Sequence, residues 1–215
     1  MSDPYTTPEP AASALITIDL QNDFTLEGAP AMIAGTAAIV PAVRKSLEAF
    51  RKAGRPIIHV VRLYKADGSN VDLCRRHLIQ RGAVIARPAT EGAELVDALK
   101  PDDAIQLDAD TLLAGRLQSI GPNEWILYKP RWSAFHDTML KAVLDDLDVT
   151  TLAFAGCNFP NCPRASIYDA SNRDYRLCVI ADAMSELYER GLAELQGIGV
   201  HILTSDDVET WLRSS

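Results

Sequence analysis

Three chemically distinct groups stand where an apolar run of this chain gives way to something polar: a thiol, a carboxylate and an ammonium. The thiol lies in FAGCNFPNCPRASIYDA, Phe154 to Ala170, which sets Cys157, Cys162, Pro160 and Pro163 on one turn between an apolar run and a helical pattern. A cysteine nucleophile needs a thiolate, a site that stabilises it, and donors for the charge that develops on the substrate. Cys162 is expected at a helix start, where unpaired backbone N–H groups and the helix dipole favour an anion. Pro163 is then expected at the first helical position, where a missing N–H costs nothing. It cannot donate to an oxyanion, so the donors must come from Cys162 itself and the turn before it. Pro160 presses Phe159 toward an extended conformation and stiffens that turn. Asp19 and Lys129 supply the other two groups. Lys129 beside the thiol would lower its pKa, and Asp19 could accept its proton. Taken singly, each has a plain reading: a buried small hydrophobe, a helix cap and a solvated cation. Their joint occurrence at strand ends points to function.

The elements that must position these groups follow from hydrophobic patterning. SALITIDLQ reads as a buried strand, and TAAIVPAVRKSLEAFRKAG spaces Ile39, Val43, Leu47 and Phe50 as a helix, with Gly54 as its C-terminal cap. RPIIHVVRLY, EWILYKP, TTLAFAGC, RLCVIADAMS and the start of HILTSDDVETWL read as further strands. VDLCRRHLIQRG, TMLKAVLDDLDV, PRASIYDASNRDY, ERGLAELQGIGV and the end of HILTSDDVETWL read as helices. Strands that alternate with helices, and are apolar throughout, imply a mostly parallel open sheet covered on both faces, a three-layer αβα fold. In such sheets chemistry sits beyond the C-terminal strand ends, where Asp19, Lys129 and Cys162 fall.

The chain as a whole bounds the function classes. Its 215 residues suit one α/β domain, expected over 13–215 behind a flexible arm at 1–12 rich in Pro, Thr and Ser. A net charge of −8 disfavours nucleic acid as a partner. No apolar run approaches a membrane span, and the first residues lack the basic and apolar regions of a secretory signal. Four cysteines are too few for a disulfide scaffold of this size, so a reducing cytoplasm with free thiols is the expected setting.

Three motifs, in order, carry a resemblance. LITIDLQNDF resembles the D-x-Q-x-D-F strand of the isochorismatase-like cysteine hydrolases. LYKPRWSAFHDTML resembles their K-x-x-x-S-A-F-x-x-T-x-L segment, and FAGCNFPNCPRASIYDA their G-x-x-T-x-x-C-V…A segment. That family includes nicotinamidase, N-carbamoylsarcosine amidohydrolase, ureidoacrylate amidohydrolase and biuret hydrolase. The resemblance implies a Cys162 nucleophile, an Asp19 base and a Lys129 partner. It also implies a cis peptide at Cys157–Asn158 that aims the Asn158 N–H, with that of Cys162, at an oxyanion. Phe159 and Pro163 depart from the family's usual Thr and Val. Members commonly form oligomers, so a homodimer or homotetramer is expected, acting on a small molecule without a cofactor.

The nicotinamidases of this family bind a metal through an Asp-x-His and a further His after the second strand. Here His59 lies inside the strand, and Asp67, Asp72 and His77 lack that spacing. No metal is expected, which disfavours nicotinamide. The second loop instead offers Arg62, Lys65, Arg75 and Arg76, suited either to a carboxylate or ureido oxygen or to a solvated face. The expected pocket comprises Phe24, Arg62, Trp132, Phe135 and Phe159, although Trp132 and Phe135 equally suit the core. The function expected is cleavage of a C–N bond in a small amide or ureido compound through a Cys162 thioester. Two rivals remain. One is a vinyl-ether hydrolase of the isochorismatase type, which needs no thiol. The other is a non-catalytic or redox-sensing member in which Cys157 and Cys162 pair.

Overall fold

The apolar runs become one sheet, because parallel strands buried on both faces need no polar alternation. A computed structural model describes residues 3–214. In chain order these form β1 (Ser13–Ile18), α1 (Asn22–Thr25), α2 (Thr36–Lys52), β2 (Ile57–Val61), α3 (Leu73–Gln80) and α4 (Ala109–Leu113). Next come β3 (Gln118–Gly121), β4 (Glu124–Tyr128), α5 (Leu140–Asp146), β5 (Thr151–Gly156) and α6 (Cys162–Ser171). The chain closes with β6 (Arg176–Met184), α7 (Glu189–Gly197), β7 (His201–Leu203) and α8 (Ser205–Leu212). The sheet order is β3-β4-β2-β1-β5-β6-β7, parallel except where β3 runs against β4. Strand β3 was not expected from the sequence. It is a four-residue edge with no buried residue and a register break between Ser119 and Gly121, so it carries no apolar pattern to read.

Successive strand residues point to opposite faces, and each face packs its own helices. Ile16, Ile58 and Phe154 meet Leu144 of α5, Ile167 of α6 and Leu195 of α7 on one side. Leu15, Ile57 and Ala153 meet Val43, Leu47 and Phe50 of α2 and Val208 of α8 on the other. These are the three layers that patterning implies. The expected arm, so far as it lies within the described residues, is tied to the domain. Glu9 donates its N–H to Thr151 Oγ1 at 2.9 Å and pairs with Arg176 at 3.2 Å, because the segment lies across the start of β5. Among the described residues no helix is long and apolar enough to cross a membrane.

Candidate active site

The strand order decides which chain ends meet. Strand β1 is central, with β5 on one side and β2 then β4 on the other. Asp19 follows β1, Arg62 follows β2, Lys129 follows β4, and the turn after β5 leads to Cys162. Three ladder-end hydrogen bonds fix this edge: Asp19 N–H to Val60 O (2.9 Å), Lys129 N–H to Val61 O (3.0 Å) and Cys157 N–H to Ile18 O (2.9 Å). Gly156 makes the last approach possible, since a Cβ there would lie 2.3 Å from Ile18 O. Asp19 has a left-handed backbone, φ 54°, which turns the chain sharply as it leaves the sheet. Such conformations cluster at functional sites.

Lys129 lies two strands from Asp19, and its long stem reaches across β2 so that Nζ donates to Asp19 Oδ2 at 2.8 Å. Both are buried. The second oxygen, Asp19 Oδ1, is buried and accepts no hydrogen bond. Arg62 is wholly buried beside them. Its Nη1 donates to Asp72 Oδ2 (2.8 Å) and Pro130 O (3.2 Å), and its Nη2 lies 3.6 Å from Cys162 Sγ. Burial opposes this charge, but Tyr64, Asp19, Cys162 and Asp72 more than offset it and raise the Arg62 pKa.

The thiol differs from expectation. Burial pushes Cys162 above its ordinary value and Asp19 adds to that, while Lys129 and Arg62 oppose it without prevailing. Cys162 is 3% exposed, so desolvation of the anion outweighs its cationic neighbours and the resting group is a thiol. Cys157 is raised further, by burial, then by Asp19 and Cys162. It donates to Asp19 O at 3.1 Å, and both cysteines are free thiols.

Helix α6 starts one residue earlier than the sequence suggested. Cys162 itself takes the first position and Pro163 the second, still within the turn whose N–H groups have no helical acceptor. The Cys157–Asn158 peptide is cis. Neither the Asn158 nor the Cys162 N–H finds an acceptor among the described residues, whereas the Phe159 N–H donates to Ser185 O at 2.9 Å. Ser166, which the sequence did not single out, accepts from the Ala134 N–H (2.9 Å) and donates to Cys162 O (2.7 Å). It thereby ties the segment after Lys129 to the Cys162 turn. Gln21 likewise grips the backbone of Arg62, accepting from its N–H (2.7 Å) and donating to its carbonyl (2.7 Å). The spacing of Asp19 and Gln21 was the available signal for it.

The expected pocket residues divide. Arg62 meets Cys162. Phe24 is buried in a cluster with Tyr64, Val71 and Cys157. Phe159 belongs to the core, edge-on to Tyr188 at 5.4 Å and pressed so close to α7 that a Cβ on Gly191 would lie 2.4 Å from its ring. Phe135 is core too, stacked on Tyr175 at 6.0 Å under Arg173. Trp132 is half-exposed and, with Asp72, Leu73, Cys74, Ser133 and His136, lines an open cavity of about 520 Å³. Of the basic group, Arg75 donates to Tyr64 Oη (3.0 Å) and Arg76 to Val71 O (3.0 Å), while Lys65 is exposed. No three His, Cys, Asp or Glu side chains among the described residues gather as a metal would require. His59 is held between Thr17 Oγ1 (2.8 Å) and Glu124 Oε1 (2.7 Å), and Asp72 faces Arg62.

Fold and site together define an α/β protein with a cysteine, a buried lysine–aspartate pair and a buried arginine at the carboxyl edge of its sheet. The chain belongs to the isochorismatase family, whose domain model matches residues 13–207. It is 35% identical over 196 residues to an Arabidopsis thaliana protein described as a probable inactive nicotinamidase, covering 87% of this chain and 90% of that one. It is 27% identical over 206 residues to a maleamate amidohydrolase of Pseudomonas putida, covering 93% and 86%. Among solved structures, an isochorismatase family protein from Desulfovibrio vulgaris superposes with a TM-score of 0.80 at 32% identity, covering 94% of this chain and 98% of that one.

Proposed function

We propose that this protein is a cysteine amidohydrolase that cleaves a C–N bond of a small amide or ureido compound through a thioester on Cys162. The observation that carries the reading is the buried Lys129–Asp19 pair with Asp19 Oδ1 left without a donor beside a protonated thiol. A buried acceptor without a partner is costly at rest and ready to receive a proton. Asp19 takes the thiol proton as Sγ attacks the carbonyl carbon. Lys129 and Arg62 stabilise the charge that passes through sulfur. The tetrahedral oxyanion is received by the N–H groups of Asn158 and Cys162, which have no competing acceptor. Asp19 returns the proton to the leaving nitrogen, the C–N bond breaks, and the acyl group remains on sulfur. Water then attacks the thioester and gives its proton to Asp19. The acid departs, and Asp19 reprotonates the thiolate.

The names of relatives such as maleamate amidohydrolase support this reaction class. The rival, a member without turnover, draws on two observations: the nucleophile is 3% exposed, and one relative is described as a probable inactive nicotinamidase. A panel of primary amides, N-carbamoyl compounds and ureido acids, assayed for ammonia release with Cys162→Ala as control, separates the two. Release that depends on Cys162 supports the hydrolase; none across the panel supports the rival.

A further inference from the structure

Cys157 is a buried thiol that takes no step in the proposed reaction, yet it is not placed as a mere filler of the core. Cys178 is buried as fully in β6, and burial alone acts on its thiol. Cys157 packs with Phe24, Tyr64 and Val71 and donates its S–H to Asp19 O at 3.1 Å. The two peptide planes that meet at the Asp19 Cα are held unequally. The plane before it is fixed at both ends: Ile18 O accepts the Cys157 N–H at 2.9 Å, and the Asp19 N–H donates to Val60 O at 2.9 Å. On the plane after it, Asp19 O accepts from no backbone N–H among the described residues, and the Leu20 N–H finds no acceptor among them. The Cys157 thiol is therefore the only hydrogen-bonding partner of that second plane among the described residues. Asp19 has φ 54°, a left-handed value that a residue with a Cβ keeps only where its surroundings hold it. With the first plane fixed, a change in φ turns the Asp19 Cβ and carbonyl together about the N–Cα bond. Whatever holds the carbonyl thus holds the direction in which the carboxylate leaves the backbone.

We propose that Cys157 is a positioning residue for Asp19: its S–H···O bond holds the left-handed turn that directs the Asp19 carboxylate at Cys162. Lys129 holds Oδ2 from the far side at 2.8 Å and leaves Oδ1 without a donor. Backbone and carboxylate are then both fixed, and the place of Oδ1 is set before any substrate arrives. Cys157 also opens the turn that ends at Cys162, so one bond couples the two segments that must exchange a proton. Burial, then Asp19 and Cys162, push the Cys157 thiol well above its ordinary 9.0. That keeps the proton it donates and keeps its sulfur from competing as a nucleophile. The role deepens the amidohydrolase reading and rests on it only for the effect on turnover.

The pH profile of Cys162 alkylation by iodoacetamide tests this without turnover. Sγ bonds to the reactive carbon and iodide leaves; peptide mapping counts the exposed Cys74 apart. The groups that face the Cys162 sulfur are Asp19 after β1, Arg62 after β2, Lys129 after β4, Arg75 on α3 and Cys157. Burial and then Asp19 raise this thiol, so a carboxylate swung away from it lowers the midpoint of the profile. Cys157→Ala is expected to shift the midpoint down, toward that of Asp19→Asn. Cys157→Val, which fills the space without donating, should shift it likewise and serves where the alanine variant does not fold. Cys157→Ser keeps a donor and should restore the wild-type midpoint. Water entering beside the sulfur would also lower the midpoint, and a background without the carboxylate parts the two causes. Added to Asp19→Asn with Lys129→Met, Cys157→Ala should shift nothing further. An unmoved midpoint, a serine variant that behaves as the alanine one, or a shift that persists in that background overturns the proposal. For an amide hydrolysed through Cys162, Cys157→Ala should lower kcat at least about tenfold and leave KM unchanged, since about 1 Å of misplacement can cost about 10²-fold. A midpoint that responds as expected in a protein that releases no ammonia from any amide refutes the hydrolase reading alone. Turnover through Cys162 with neither midpoint nor kcat moved by Cys157→Ala refutes the positioning role alone.

Discussion

Asp19→Asn separates two consequences of one ion pair. Asp19 Oδ2 is the only hydrogen-bond partner of Lys129 Nζ among the described residues, at 2.8 Å, with the lysine side chain 0% exposed. Sequence alone suggests a benign change, since asparagine keeps the size of aspartate and most of its hydrogen bonds. The structure predicts otherwise for stability, because the variant leaves a buried ammonium without a counter-charge. Breaking a buried pair in this way costs about 3–5 kcal/mol. For a chain of this length each kcal/mol shifts the melting temperature by about 2–4 °C, so a fall of about 6–20 °C is expected. Turnover should fall independently by about 10²–10⁴-fold, the usual worth of general acid–base catalysis. The two effects are parted by Asp19→Asn with Lys129→Met, which removes both charges and fills the same channel. That double variant should recover most of the lost melting temperature and none of the turnover. The assay is kcat/KM and thermal unfolding on wild type, both single variants and the double. An Asp19→Asn protein that melts with the wild type would show that the Lys129 charge is compensated elsewhere. One that keeps more than about a tenth of wild-type turnover would refute the proton role.

Three further outcomes are expected. Because burial raises the Cys162 thiol above 9.0, its alkylation by iodoacetamide should be slow at neutral pH and accelerate through and beyond that value. Cys178, pushed up to about 12 by burial, should stay unlabelled, and a plateau at Cys162 well below pH 9.0 would restore a low-pKa thiolate. Burial would raise Glu124, but hydrogen bonds from Arg51 and His59 more than offset this and hold it at about 2 against an ordinary 4.5. A depressed carboxyl stabilises the fold above its unfolded pKa and loses that contribution as pH falls through the folded one, here about 3 kcal/mol between 4.5 and 2. Denaturant titrations of wild type and Glu124→Gln across that window should converge as the pH drops; parallel curves would contradict it. Light scattering should give a homodimer or homotetramer, and a species at the 23.5 kDa of one chain would refute this.

The sequence by itself determined the layers and the ends of the strands. Runs such as Leu15–Ile18, interrupted only by Thr17, and Leu152–Ala155 lack the polar alternation of a half-exposed strand, as a sheet buried on both faces requires, and they stop at Asp19 and just before the Cys162 turn. It also marked a helix start at Cys162 to within one residue, since caps and prolines act locally. What it could not determine depends on which strands become neighbours. Arg62 and Cys162 are 100 residues apart, Lys129 and Asp19 110 apart, and no periodicity links them. Only the order β4-β2-β1-β5 sets Lys129 across Arg62 onto Asp19 and turns a basic loop into a buried guanidinium held by Asp72. The same packing sent Phe135 and Phe159 into the core, where their bulk fits against Tyr175 and Gly191. It also reversed the direction of the thiol. A helix start and a lysine can be read from a sequence and both favour the thiolate. The desolvation that overrides them is a property of the closed three-dimensional site, because it depends on how completely other segments exclude water from the sulfur.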